Sequence, residues 1–345
     1  MIKIDSLRIS VTDRCNFRCL YCMPLYGVNF INKNELLTYE EILYIIKIIK
    51  DYGIRKFRIT GGEPLVRKDI YKLIKLISDL GVDDLSLTTN GYLLGKDESL
   101  AKLLKSSGLR RINISLDTVD PKKFYEIVRP IFSKNFNNNK AFEVEFFENY
   151  FNTVKRGIEN AIDAGFSNIK INAVLLKTFS TKDIIDLIDF CISRGLILRF
   201  IEFMDTTPVF NPNLYVSYED VINELKKEID IEIFKDNTKL GEGPAKYYKI
   251  NYKGKDGLLG FIYNNLDNCS KCGRIRLSSD GFLRICIYQN LGFNLKEIIR
   301  SKGEELEKER KIRNLLEYVF SLKSSGNINY TIWEKQKNYM FKIGG

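Results

Sequence analysis

Residues Leu7–Pro24 read LRISVTDRCNFRCLYCMP. Leu7, Ile9 and Val11 alternate with polar neighbours, the pattern of a strand with one buried face. Cys15, Cys19 and Cys22 follow at once in a C-x3-C-x2-C spacing, which puts three thiols on one loop after that strand. Three is an odd number for disulfides and one short of the four ligands of a closed zinc site. A [4Fe–4S] cube needs four external ligands, so three cysteines leave one iron open to a substrate or cofactor. A zinc site or a plain electron-transfer centre are the other readings of the same residues.

The strand–helix rhythm continues outward. Further β-rich runs are KFRIT from Lys56, DLSLTTN from Asp84, RRINISLD from Arg110, NIKINAVLL from Asn168 and LRFIEFM from Leu198. Helical stretches between them cover about Thr38–Tyr52, Lys68–Leu80, Glu98–Ser107, Tyr150–Ala164 and Thr181–Ser193. Thr38 and Glu41 form a capping box. Gly53, Gly81, Gly108, Gly165 and Gly195 each follow a helix, where a left-handed cap is needed. Six such alternations predict an α/β fold: a parallel sheet with right-handed crossovers, arranged as a partial (β/α)6 TIM-type barrel. Its active site is expected at the C-terminal strand ends. Residues 129–150 are rich in Asn and Phe without a clear period and are read as an insertion. The character changes after about Tyr218, so the expected domains are 1–218, the barrel, and 219–345, a C-terminal α+β domain.

With 54 basic and 44 acidic residues the chain carries a net charge of +10. A Lys-rich surface, an anionic substrate such as a nucleotide, or nucleic acid would each account for that. There is no His, which excludes His general-base chemistry, Ser-His-Asp triads and His-ligated zinc. No signal peptide and no long uncharged apolar run is seen, so a cytoplasmic protein without a membrane partner is expected. In that compartment the seven cysteines are metal ligands sooner than disulfides.

A second group, Cys269, Cys272 and Cys286, lies in CSKCGRIRLSSDGFLRIC with a C-x2-C-x13-C spacing and no His to complete a zinc site. Cys191, on an apolar helical stretch, is expected to be structural. A second cube with an open iron is the economical reading, one open cluster for a cofactor and one for a substrate. Arg8, Arg58, Lys170, Arg199, Arg274 and Arg276 are the basic residues on strands or near the cysteines. A planar guanidinium grips phosphate oxygens bidentately and stays charged. Arg274 and Arg276 alternate on a strand-like run, so both point the same way.

With Tyr21 before the third cysteine and TGGEP from Thr60 after the second strand, the chain resembles the radical S-adenosylmethionine (SAM) enzymes. The resemblance implies that Cys15, Cys19 and Cys22 hold a [4Fe–4S] cluster that binds SAM, with Tyr21, Gly62, Glu63, Ser115 and Met204 contacting SAM. Within that superfamily, LRISVTDRCNFRCLYCMP, FRITGGEPLVRKD, LTTNG, RRINISLD, LRFIEFMD and CGRIRLSSDG are similar to the GTP 3′,8-cyclases, which open molybdenum cofactor biosynthesis. Gly344 and Gly345 match that family's Gly-Gly tail.

The narrower resemblance implies a second [4Fe–4S] cluster on Cys269, Cys272 and Cys286 that binds the substrate. GTP would be held by Arg8, Arg58, Thr88, Lys170, Arg274 and Arg276. Arg199, Gly344 and Gly345 would take part in catalysis, the tail reaching into the active site. A 5′-deoxyadenosyl radical would remove the ribose 3′ hydrogen, and C3′ would join C8 to give (8S)-3′,8-cyclo-7,8-dihydroguanosine 5′-triphosphate. Implied partners are a one-electron reductant of flavodoxin or ferredoxin type, a downstream cyclic pyranopterin monophosphate synthase and a second copy in a homodimer, with no nucleic acid. The insertion exceeds the short connection expected of the family. Rival readings are a radical SAM peptide-modifying enzyme with an auxiliary cluster, and a non-catalytic iron–sulfur or zinc protein that binds nucleic acid.

Overall fold

The computed structural model describes residues 4–131, 140–205, 208–228, 234–236, 245–263, 272–288, 291–324 and 339–344. Cys269, Gly345 and most of the first half of the expected insertion lie outside the described residues.

The six anticipated strands are β1 Ser6–Ser10, β2 Lys56–Thr60, β3 Asp84–Thr89, β4 Arg111–Ser115, β5 Lys170–Leu175 and β6 Ile197–Glu202. They lie side by side in chain order, all parallel. Alternate residues such as Arg8, Arg58, Thr88 and Asn172 turn to the interior, and the outward sides are almost continuously apolar because helices cover them. Leu7, Ile9, Phe57, Ile59, Leu85, Leu87, Ile112, Ile114 and Ile171 are all buried. The helices α1 Tyr39–Asp51, α2 Ile70–Asp79, α3 Tyr92–Lys96, α4 Glu98–Ser106, α5 Pro121–Val128, α6 Lys140–Asp163 and α7 Thr181–Ile192 fall between them. The Thr38–Glu41 capping box at α1 forms in both directions, and the five helix-following glycines all have positive φ.

Three differences from the sequence reading have physical causes. Helix α6 starts ten residues before Tyr150, inside the expected insertion. Its aromatic residues dock: Tyr150 stacks on Tyr92 at 5.0 Å, Phe147 on Tyr125 at 3.9 Å, and Phe151 meets Phe124 at 5.7 Å. Tertiary contact extends a helix that its weak period did not announce. Helices α3 and α5 are short and amphipathic over too few residues to show a period.

The third difference is the placement of the C-terminal strands. β7 Phe234–Asp236, β8 Lys246–Tyr252, β9 Lys255–Ile262, β10 Arg274–Leu277, β11 Phe282–Arg284 and β12 Gly292–Asn294 join the same sheet. The order is β12-β11-β10-β1-β2-β3-β4-β5-β6-β9-β8-β7. β10 runs parallel to β1 and β9 parallel to β6, so the C-terminal third extends the six-stranded core from both sides. The order has two ends, β12 and β7, so the barrel is partial, as expected. A helix Leu295–Arg300 and a long helix Glu305–Ser324 follow. Among the described residues no helix is long and apolar enough to cross a membrane.

Candidate active site

The C-terminal ends of the parallel strands surround a cavity of about 320 Å³. Its wall includes Cys15, Cys19 and Cys22 from the loop after β1, Gly61, Gly62 and Glu63 after β2, Thr88 on β3, Ser115 ending β4, Met204 after β6, and Arg274 and Arg276 on β10. Arg8, Arg58, Arg199 and Tyr21 complete the group of anticipated residues that reach it.

The cysteine loop is held by its own backbone and by Arg18. Cys22 and Met23 both donate backbone N–H to the Cys19 carbonyl. Arg18, itself buried, donates to the carbonyls of Cys15 at 2.9 Å and Phe17 at 3.0 Å. Burial pushes the Cys22 thiol up to about 12 and raises Cys15 and Cys19 too, with neighbouring acidic groups adding to the effect. Three half-buried thiols with raised pKa values on one wall stay protonated at neutral pH unless metal replaces their protons. Among the described residues no three Cys, Asp or Glu side chains converge tightly enough to enclose a single ion. Thiolates that each take a different iron of a cube need no such convergence. Three thiols without a fourth protein ligand fit a cube with one open iron better than a closed zinc site.

The segment after β2 approaches the strand before the cysteine loop backbone to backbone. Gly62 N–H donates to the Thr12 carbonyl at 2.7 Å and Glu63 N–H to the Arg14 carbonyl at 2.8 Å. A Cβ on Gly62 would stand 2.4 Å from the Arg14 oxygen, so no side chain fits there. The Glu63 carboxylate accepts from Leu65 N–H at 3.0 Å, Thr89 Oγ1 at 2.8 Å and Asn90 N–H at 2.7 Å. Burial nonetheless raises it to about 7, against those three donors. Tyr21 donates to Asp117 Oδ2 at 2.8 Å, and Asp117 Oδ1 accepts from Val174 N–H at 2.8 Å. Burial lifts Asp117 to about 6. Asp117 ends RRINISLD and Asn90 ends LTTN, both stretches singled out by sequence, but neither residue was.

The opposite chemistry gathers at the basic wall. Burial lowers the Arg8 guanidinium far below its usual range, and Arg276, Arg58, Arg274 and Arg199 repel it further. Burial and Arg199 bring Arg58 down to about 9. Arg199 donates to Asn172 Oδ1 at 2.9 Å and Asn113 Oδ1 at 3.1 Å. Lys170 is buried but not among the lining residues; burial, Arg199, Arg111 and Arg58 push its ammonium down to about 7. Two residues on, Asn172 reaches the cavity instead.

The second cysteine group stands behind this basic wall. Arg274 Nε donates to Cys272 Sγ at 3.2 Å, and both Cys272 and Cys286 lie close enough to Arg276 to stabilise its charge. Burial raises the Cys272 thiol, but Arg274 and Lys323 outweigh it and hold the group at about 7. Tyr288, two residues past Cys286, lines the cavity and donates to Met204 Sδ at 2.8 Å. The tail also arrives here. Met340 lines the cavity, Phe341 N–H donates to the Cys22 sulfur, and Arg276 Nη1 donates to the Gly344 carbonyl. Gly344 has φ +77°, and a Cβ there would meet Thr60 Oγ1 at 2.5 Å. Cys191 is fully buried on α7, apart from both groups.

A sequence model of the radical SAM superfamily matches residues 9–191, more than half of the chain, and a model described as Molybdenum Cofactor Synthesis C matches residues 196–327. The protein is a radical SAM enzyme. Among curated relatives, a GTP 3′,8-cyclase of Petrotoga mobilis is 36% identical over 99% of this chain and 98% of its own length. One of Aliarcobacter butzleri is 39% identical over 87% of this chain and 85% of its own length. The chain belongs to the GTP 3′,8-cyclase family of molybdenum cofactor biosynthesis. Among solved structures, Streptococcus suis SuiB bound to precursor peptide SuiA aligns with a TM-score of 0.58 at 18% identity, covering 95% of this chain and 67% of that one. That likeness concerns the fold alone.

Proposed function

We propose that this chain converts GTP to 3′,8-cyclo-7,8-dihydro-GTP in the cavity between the two cysteine groups. The observation that carries the reading is the crowding of Arg8, Arg58, Arg199, Arg274 and Arg276 around one chamber whose other wall bears three thiols. Buried guanidiniums that repel one another are relieved by a polyanion, and a triphosphate supplies that charge in a form guanidinium forks recognise. The family's shared activity supports the same substrate.

Cys15, Cys19 and Cys22 would hold one [4Fe–4S] cluster, and Cys269, Cys272 and Cys286 a second. SAM on the first cluster would supply one-electron hydrogen-abstraction chemistry. Gly61 and Gly62, packed against the Thr12 and Arg14 backbone, hold their segment at the wall where the cofactor would lie, and Ser115 and Met204 line its side of the chamber. Arg8, Arg58, Thr88, Arg274 and Arg276 hold and orient the nucleotide, and Lys170 acts from beneath the lining. Arg199, fixed by Asn113 and Asn172, presents a guanidinium at the reacting side. Gly344 accepts from Arg276 and would carry the tail's part in catalysis with Gly345. No side chain serves as a nucleophile. The chain would draw electrons from a flavodoxin- or ferredoxin-type carrier in the cytoplasm and pass its product to a cyclic pyranopterin monophosphate synthase, working as a homodimer.

The test is anaerobic incubation of the reconstituted chain with SAM, GTP and dithionite, followed by mass spectrometry of the nucleotide. Formation of 5′-deoxyadenosine together with an isomer of GTP of unchanged mass is expected. SAM cleavage with GTP recovered unaltered would overturn the reading.

A further inference from the structure

We propose that Lys323 is a positioning residue of the second cysteine group: its ammonium ties the segments carrying Cys272 and Cys286 together and balances the charge of a thiolate-bound cluster there. The inference rests on the two-cluster reading above.

Lys323 lies in the last turn of the helix Glu305–Ser324, where a lysine ordinarily reaches solvent. Here it is 2% exposed. Its Nζ donates to the Arg274 carbonyl and, at 2.8 Å, to the Ile285 carbonyl. Arg274 stands two residues after Cys272, and Ile285 stands just before Cys286. One ammonium thus bridges the backbones of both cysteine-bearing segments beyond the end of the β10–β11 pairing, whose register joins Arg276 to Arg284 and Leu277 to Leu283.

The electrostatics require more than two carbonyls. The charged and ionisable groups that act most on Lys323 are Cys272, Cys286, Arg274 and Arg276: two thiols and two further cations. Among the described residues no carboxylate forms an ion pair with it. A buried ammonium without an anion is strongly unfavourable, and adjacent guanidiniums make it worse. The anions that fit the place are the two sulfurs once they are ionised, the form in which they ligate iron. Charge and N–H donors close to ligating sulfurs set the affinity and reduction potential of a cluster. Lys323 does not line the cavity, so it acts through the cysteines and not on the nucleotide.

The test uses the reconstituted full chain and its Lys323→Met and Lys323→Arg variants, measuring iron per chain, SAM cleavage and the midpoint potentials of both clusters. The parent is expected to hold about eight irons. Lys323→Met is expected either to lose about half of them or to keep them with one midpoint shifted to lower potential. SAM cleavage should persist at the parental rate, and Lys323→Arg should restore the parental values. A Lys323→Met chain with both clusters and both potentials unchanged would overturn the inference alone. A parent with about four irons would overturn the two-cluster reading and this inference with it. Should Lys323→Met fail to fold, as loss of SAM cleavage would reveal, Lys323→Gln decides: it keeps an amide donor without the charge. A lowered potential there supports the inference, and an unchanged one overturns it.

Discussion

The first cysteine group lines the chamber, Cys272 and Cys286 stand behind its basic wall, and the two sit in opposite fields. Cys15, Cys19 and Cys22 are half-buried near Glu63 and Asp117, with thiols driven upward chiefly by desolvation. Cys272 and Cys286 are packed against Arg274, Arg276 and Lys323, and Cys272 is held down at about 7. The same ligand chemistry is thus set in a site that resists added negative charge and in one that invites it. A site of the second kind suits a polyanionic nucleotide; one of the first suits a cofactor with its own cationic sulfonium.

Single cysteine replacements separate the two groups most sharply. Cys19→Ser is expected to abolish both SAM cleavage and GTP conversion, whereas Cys286→Ser keeps SAM cleavage and yields no cyclised nucleotide. Quantifying 5′-deoxyadenosine and product by chromatography checks both, and a Cys286→Ser chain that still cyclises GTP would erase the distinction. Removing Gly344 and Gly345 should leave the iron content intact and reduce product to background. Arg276→Ala removes one charge-assisted contact at the basic wall, worth about 1.5–3 kcal/mol, so kcat/KM for GTP should fall about 10–150-fold with iron content unchanged.

Alkylation of the iron-free protein tests the fields directly. A thiol at about 7 is half ionised at neutral pH and fully ionised above it. Iodoacetamide labelling of Cys272 should therefore rise through pH 7 and level off, while Cys22, at about 12, stays unlabelled through pH 9. Peptide mass spectrometry reports both rates, and equal labelling would remove the contrast. The smallest effect is expected at Cys191, which belongs to neither group. Cys191→Ala should lower stability by about 1 kcal/mol and leave iron and activity unchanged, as denaturant titration would show.

The six core strands were legible because each carries its own period and each helix its own cap. The flanking of that core by β9 and β10 was not, since a strand's period reports its buried face and not its neighbour. The cysteines and arginines of the site were legible as residue types at telling spacings. Asp117 and Lys323 were not, because they work across the fold: Tyr21 and Asp117 are 96 residues apart, Lys323 and Arg274 49. Lys170 was assigned to the nucleotide on resemblance; it shares a strand face with Asn172, and of the two Asn172 is the one that lines the cavity.

The insertion of β10 beside β1 and β9 beside β6 has a consequence for biosynthesis. While the ribosome is still making residues 203–254, the parallel core is complete but bare along both of its sides. Open strand edges of that kind recruit other chains. At that stage Arg8, Arg58 and Arg199 are in place with the first cysteine group, while Arg274, Arg276 and the second group are still to be made. The two halves of the site are thus completed at different times, the basic wall last.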